Sequence, residues 1–89
     1  MTKPAITFAL LRQLLSDLDF TEVVVPKSHI GFHHAASGAE IFLPVYKPNQ
    51  LVAPRHLLLA RVMLDGKGLM DGDEFDRIVA SNSLKHSAS

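Results

Sequence analysis

One stretch of the chain gathers most of its reactive side chains: Lys27-Ser28-His29-Ile30-Gly31-Phe32-His33-His34. Histidine titrates near neutrality, so it can take up or release a proton at cellular pH. A histidine beside a hydroxyl and an ammonium suits phosphodiester chemistry. It would remove the proton of a ribose 2′-hydroxyl, which then attacks the adjacent phosphate. Ser28 and Lys27 would hydrogen-bond the phosphate or balance its charge. Such a site needs no metal. One positioned base contributes about 10²–10⁴-fold, so a second group would be wanted as acid or phosphate contact. His56, Lys47 and Arg55 are the candidates. A Ser-His step alone is very common in proteins, and on chemistry alone His29 reads as a polar residue at a strand edge.

Three histidines in six residues also raise a metal site. In an extended segment His29 and His33 share a face but stand about 13 Å apart, and His33 and His34 point to opposite faces. That spacing does not give the convergent ligand set a metal requires. A second pattern, Asp65 to Phe75, looks like the back half of a calcium loop with Glu74 at the bidentate position. Met63 and Lys67 then fall where oxygen ligands are needed. Asp71 and Glu74 are better explained as a helix-capping pair. No metal and no cofactor is expected.

The 89 residues suit one domain, and 47% of them are hydrophobic, enough for a globular core. The absence of cysteine excludes disulfides, thiol catalysis and thiolate zinc sites, and fits a cytoplasmic location. Apolar runs are too short for a signal peptide or a membrane span. Nine basic and nine acidic residues balance, so the chain does not advertise a nucleic-acid partner by net charge. The distribution is uneven. Residues 23–68 hold Lys27, Lys47, Arg55, Arg61 and Lys67 against only Glu40 and Asp65, together with four of the five histidines. A basic middle between acidic ends can form a local anion-binding face; the plainer account is an ordinary solvated surface.

The elements that must position these residues are legible as periodicity. Phe8, Leu11, Leu15 and Leu18 recur at helical spacing, predicting a helix over residues 5–18 with Pro4 in its first turn. Phe20 to Pro26 reads as a strand on its three valines, His29 to His34 as a second, and Ala39 to Val45 as a third after an Ala-Ala-Ser-Gly turn. In the third strand Ile41, Leu43 and Val45 share one face and Glu40, Phe42 and Pro44 the other. Short strands with tight links predict an antiparallel meander. A second helix enters through Pro54 and runs to Leu64. It is apolar over much of its girth and is expected to be heavily buried. Gly66 and Gly68 stop it, and a short third helix follows Asp71. Residues 1–80 form the domain and 81–89 a frayed polar tail. The expectation is an α+β fold, α-β-β-β-α with a short C-terminal helix, helices covering one face of a three-stranded antiparallel sheet.

The order of these features resembles the HicA family of mRNA interferase toxins, also called YcfA-like proteins. The resemblance rests on the leucine-rich helix Leu10 to Leu18, Phe20, Ser28-His29, Phe32, His34, Leu43-Pro44-Val45, Pro54, Gly68-Leu69 and Glu74-Phe75. It spans about residues 6–79. Lys27 stands where the family carries a glycine before Ser-His, and the family's usual run of lysines is missing. The resemblance implies a fold like a double-stranded-RNA-binding domain and a catalytic histidine at His29. It also implies metal-independent cleavage of mRNA, and a HicB-like antitoxin protein that covers the active surface.

Two classes of function follow. The first is an endoribonuclease toxin with His29 and Ser28 catalytic and Lys27, Lys47, Arg55 and His56 on RNA phosphates. The second is a weak or inactive RNA- or protein-binding module of the same fold. Neutral net charge and Lys27 favour the second, because phosphate contacts dominate nucleic-acid affinity. Ser28-His29 in its expected place favours the first.

Overall fold

The computed structural model describes residues 5–87, the side chains of 83–87 excepted. The order is α1 (Phe8–Asp17), β1 (Thr21–Val25), β2 (His29–His34), β3 (Ala39–Pro44), α2 (Pro54–Gly66) and α3 (Gly72–Ser87). It is an α+β fold. The three strands form one antiparallel sheet in the order β1-β2-β3.

α1 forms where leucines recur every three or four residues, and both of its ends are chemically closed. At the start, the Thr7 hydroxyl accepts from Leu10 N–H at 3.3 Å. The carbonyls of Gln50 and Pro48 take the N–H groups of Phe8 and Ala9, each at 2.9 Å. The helix therefore begins at Phe8, three residues later than its leucine pattern suggests, because Ile6 and Thr7 lie extended against the segment before α2. Pro4 lies outside the described residues. At the end, Asp19 adopts a left-handed φ of 70°. Phe20 N–H bonds back to Leu15 and Asp19 N–H to Ser16, closing the helix with the Phe20 and Leu15 side chains both buried. The same closure recurs after α2 at Gly68, with Leu69 N–H on the Leu64 carbonyl at 2.9 Å.

The core lies between the helices and one face of the sheet. Phe8, Leu11 and Leu15 of α1 meet Phe32 of β2, Ile41 and Leu43 of β3, Leu57 and Leu64 of α2, and Phe75 and Val79 of α3. Phe8 packs edge-on against Phe32 at 6.4 Å between ring centres. His34 is buried in the same layer, where its Nδ1 meets the Ser37 hydroxyl at 2.8 Å and Ser37 N–H at 3.1 Å. It braces the β2–β3 turn.

Three expectations change. α2 buries only Leu57, Ala60 and Leu64, at one-turn spacing. Leu58, Leu59 and Val62 are 57%, 40% and 58% exposed. The helix packs on β3 and α3 along a single stripe, so its remaining apolar girth faces outward. Val45 is 61% exposed; β3 ends at Pro44, and the alternation that would turn Val45 inward ends with it. α3 is a 16-residue helix that continues through the serine-rich segment to Ser87. Asp71 caps it by accepting from Asp73 N–H at 3.0 Å. Residues 88 and 89 of the expected tail lie outside the described residues. No helix is long and apolar enough to cross a membrane among the described residues.

Candidate active site

Among the described residues no helix covers the sheet's second face. Register places Thr21, Val23 and Val25 of β1 beside His33, Gly31 and His29 of β2. The β2 residues in turn lie opposite Glu40, Phe42 and Pro44 of β3. His29 heads β2 on this open face, at the mouth of the β1–β2 hairpin.

Three residues, Pro26, Lys27 and Ser28, make the hairpin turn, since Val25 pairs directly with His29. Lys27 and Ser28 both hold left-handed backbone, with φ of 68° and 62°. Side-chained residues adopt this region at a cost of about 1–2 kcal/mol, and glycine adopts it freely. The turn is pinned to the far strand by Val45 N–H, which donates to the Ser28 carbonyl at 3.0 Å.

That backbone fold brings the Lys27 carbonyl to the His29 ring, with Nδ1 at 2.9 Å. A carbonyl only accepts, so Nδ1 carries the hydrogen. In the neutral ring Nε2 then holds the free lone pair. A backbone carbonyl on one ring nitrogen sets the tautomer and orientation of the other, the arrangement a proton-accepting histidine needs. His29, Ser28 and Lys27 are all exposed. The Ser28 hydroxyl and the Lys27 ammonium make no hydrogen bond or ion pair among the described residues, so both are free to meet a ligand.

Of the residues proposed for phosphate contact, only Lys27 shares the turn with His29. Lys47 follows β3, and Arg55 and His56 occupy the first turn of α2. No hydrogen bond or ion pair among the described residues joins them to His29. His56 is instead engaged by Tyr46, whose hydroxyl accepts from Ala53 N–H at 3.1 Å and bonds His56 Nδ1. Burial, with the Arg55 charge beside it, holds the His56 pKa below its ordinary value. His56 is thus part of the α2 entry, and neutral near pH 7. Tyr46 went unnoticed in the sequence because nothing in its local spacing reports a contact ten residues away.

The other histidines divide by face. His33 stands on the open face, its Nδ1 3.6 Å from Glu40 Oε2 across the β2–β3 ladder. That nitrogen is buried and makes no hydrogen bond. Among the described residues no group of three or more His, Cys, Asp or Glu side chains is placed to hold a metal ion. Between His29 and His33 lies Gly31, with the half-exposed Phe42 ring laid over it. A Cβ on Gly31 would stand 3.1 Å from Phe42 Cε1 and 3.1 Å from Val25 Cγ2. Around them is a shallow depression of about 180 Å³. A glycine inside a strand signals such a close approach, and this signal was present in the sequence. A larger depression of about 340 Å³ lies between α2 and α3. None of its lining residues belongs to the 27–29 turn.

No family model, curated protein or solved structure matches the chain.

Proposed function

We propose that the chain is a metal-independent endoribonuclease of the HicA type, on a fold like a double-stranded-RNA-binding domain, with His29 as its general base. The observation that carries this reading is the pairing of His29 Nδ1 with the Lys27 carbonyl on an exposed turn, which leaves Nε2 as the reactive nitrogen. The left-handed backbone at Lys27 adds support. It is the conformation glycine favours, at the position where the resembled family carries glycine.

In the reaction, His29 Nε2 takes the proton of a ribose 2′-hydroxyl. The 2′-oxygen bonds to the adjacent phosphorus, the bond from phosphorus to the 5′-oxygen breaks, and that oxygen leaves with a proton drawn from solvent. The products are a 2′,3′-cyclic phosphate and a free 5′-hydroxyl. Ser28 and Lys27 supply a hydrogen bond and a positive charge to the phosphate as its charge grows. Lys47, Arg55 and His56 would contact more distant phosphates. A HicB-like antitoxin would silence the enzyme by covering the open face.

Expression of the chain and of His29→Ala, with growth and mRNA integrity followed, tests the reading. The unaltered chain should arrest growth and fragment mRNA, and the substitution should lower cleavage by about 10²–10⁴-fold. Equal growth and intact mRNA in both strains would refute it. The balance of charges favours a second reading, a module of the same fold that binds RNA or protein without cutting. RNA bound by the purified chain and left uncut would select it.

A further inference from the structure

The open face has an order along it that the ribonuclease reading leaves unused. Lys27, Ser28 and His29 stand at one end, Gly31 and Phe42 in the middle, His33 and Glu40 at the other. On a strand, residues two apart are about 7 Å apart, so Phe42, opposite Gly31, lies one pleat repeat from His29. The middle is apolar: Val23 is 48% exposed and Phe42 50% exposed. An exposed aromatic on a sheet face is how several RNA-binding folds stack an unpaired base. Gly31 lets the Phe42 ring lie close over the strand, where a Cβ would stand 3.1 Å from it and push it outward.

The charges decide what kind of group fits there. Lys27 lies beyond the His29 end of this face, and no lysine or arginine lies among the nine residues that make up the rest of it. Glu40 is the group beyond Phe42, 56% exposed at its side chain, with one oxygen turned toward His33. A carboxylate repels a phosphate and accepts from N–H groups. Of the four RNA bases only guanine offers two adjacent donors, N1–H and N2–H, on its Watson–Crick edge. Adenine pairs one donor with one acceptor, cytosine sets one donor beside two acceptors, and uracil flanks its single donor with two carbonyls.

The geometry points to the open face as the seat of one unpaired guanine, stacked on Phe42 with its Watson–Crick edge on the Glu40 carboxylate, next to the phosphate held at His29. This inference rests on the ribonuclease reading for the identity of the ligand. It adds a base preference and names Phe42 and Glu40 as specificity-determining residues.

The test uses the full chain carrying His29→Ala, so that RNA survives, and four fluorescent heptamers of uridine whose central base is G, A, C or U. Anisotropy at low salt should rank the G oligomer about tenfold tighter than the U oligomer. Adding Glu40→Gln should erase that difference, since the amide keeps one acceptor and presents a donor to the second N–H. Adding Phe42→Leu should weaken the G oligomer about tenfold, the usual scale of losing one base stack. A thermal melt confirms that each variant is folded, and Glu40→Gln carries the test if Phe42→Leu unfolds. Equal affinity for all four oligomers, affinities unmoved by either substitution, or no binding at all would overturn the inference. Cleavage of the same oligomers by the unaltered chain separates the two readings. Cutting without preference for G leaves the nuclease and ends the guanine seat. Binding that prefers G without cutting does the reverse.

Discussion

Lys27→Gly should stabilise the protein while leaving the His29 anchor in place. Lys27 holds φ at 68°, where the Cβ of an L-residue crowds the following carbonyl at about 1–2 kcal/mol. Glycine removes that cost. It also gives the unfolded chain more freedom, which offsets about 0.4–1 kcal/mol. The net gain is about 0.5–1 kcal/mol, because the Lys27 side chain is exposed and makes no hydrogen bond or ion pair that the change would break. For a domain of this size that corresponds to a rise in Tm of roughly 3–6 °C. The group that orients His29 is the backbone carbonyl of residue 27, which glycine retains, so the base stays oriented while cleavage falls by the loss of the Lys27 charge on the phosphate. Calorimetry of the unaltered chain, Lys27→Gly and Lys27→Ala decides the matter. Alanine keeps the Cβ and should give no comparable rise. If glycine melts no higher than alanine, the left-handed turn is not where the chain stores this strain, and the argument that residue 27 is a glycine position fails with it.

Further outcomes follow from the same structure. Leu15→Ala removes a side chain with no exposed surface at the meeting of α1 and the sheet; it should cost about 2–5 kcal/mol and show as a large fall in the denaturant midpoint. His34→Ala should cost about 1–3 kcal/mol by leaving the Ser37 N–H of the β2–β3 turn without its acceptor and the Ser37 hydroxyl with Ala39 N–H alone, and it should change stability without changing the base preference or products of cleavage by the folded fraction. Tyr46→Phe withdraws the acceptor for Ala53 N–H and the partner of His56 Nδ1, for a loss of about 1–2 kcal/mol in chemical denaturation. His56 also fixes a pH response. Its folded pKa lies below the ordinary value of 6.5, so the unfolded chain binds the proton more readily and acid favours unfolding. The contribution of His56 is complete above pH 6.5 and is lost as the pH falls through the folded pKa. His56→Gln should flatten that part of the stability–pH curve, and an unchanged curve would place the acid sensitivity elsewhere.

What was legible in the sequence depended on how far each signal reached along the chain. The leucine repeat of α1, the valines of β1, the turn before Ala39 and the proline opening α2 are local, and each element lies where its pattern indicated, within a few residues. The misplacements occurred where burial is set by distant partners. α2 is apolar around its girth, yet only the stripe against β3 and α3 is covered, because three helices are too few to enclose it. The start of α1 is fixed by carbonyls of residues 48 and 50, which no reading of residues 1–8 contains. The candidate site divides in the same way. Lys27, Ser28 and His29 are neighbours in sequence and remain one unit in space. Lys47, Arg55 and His56 join them only on charge, a property without direction; Lys47 follows β3 and the other two open α2, and no hydrogen bond or ion pair among the described residues ties them to His29. The reverse holds for Phe42 and Glu40. As sequence they were the polar-side alternates of a strand, and they became a surface only when β3 paired with β2 so that Phe42 met Gly31 and Glu40 met His33. A strand glycine was the visible clue. It marks a place where something must come close, and here the chain brings an aromatic ring down beside the histidine proposed as its base.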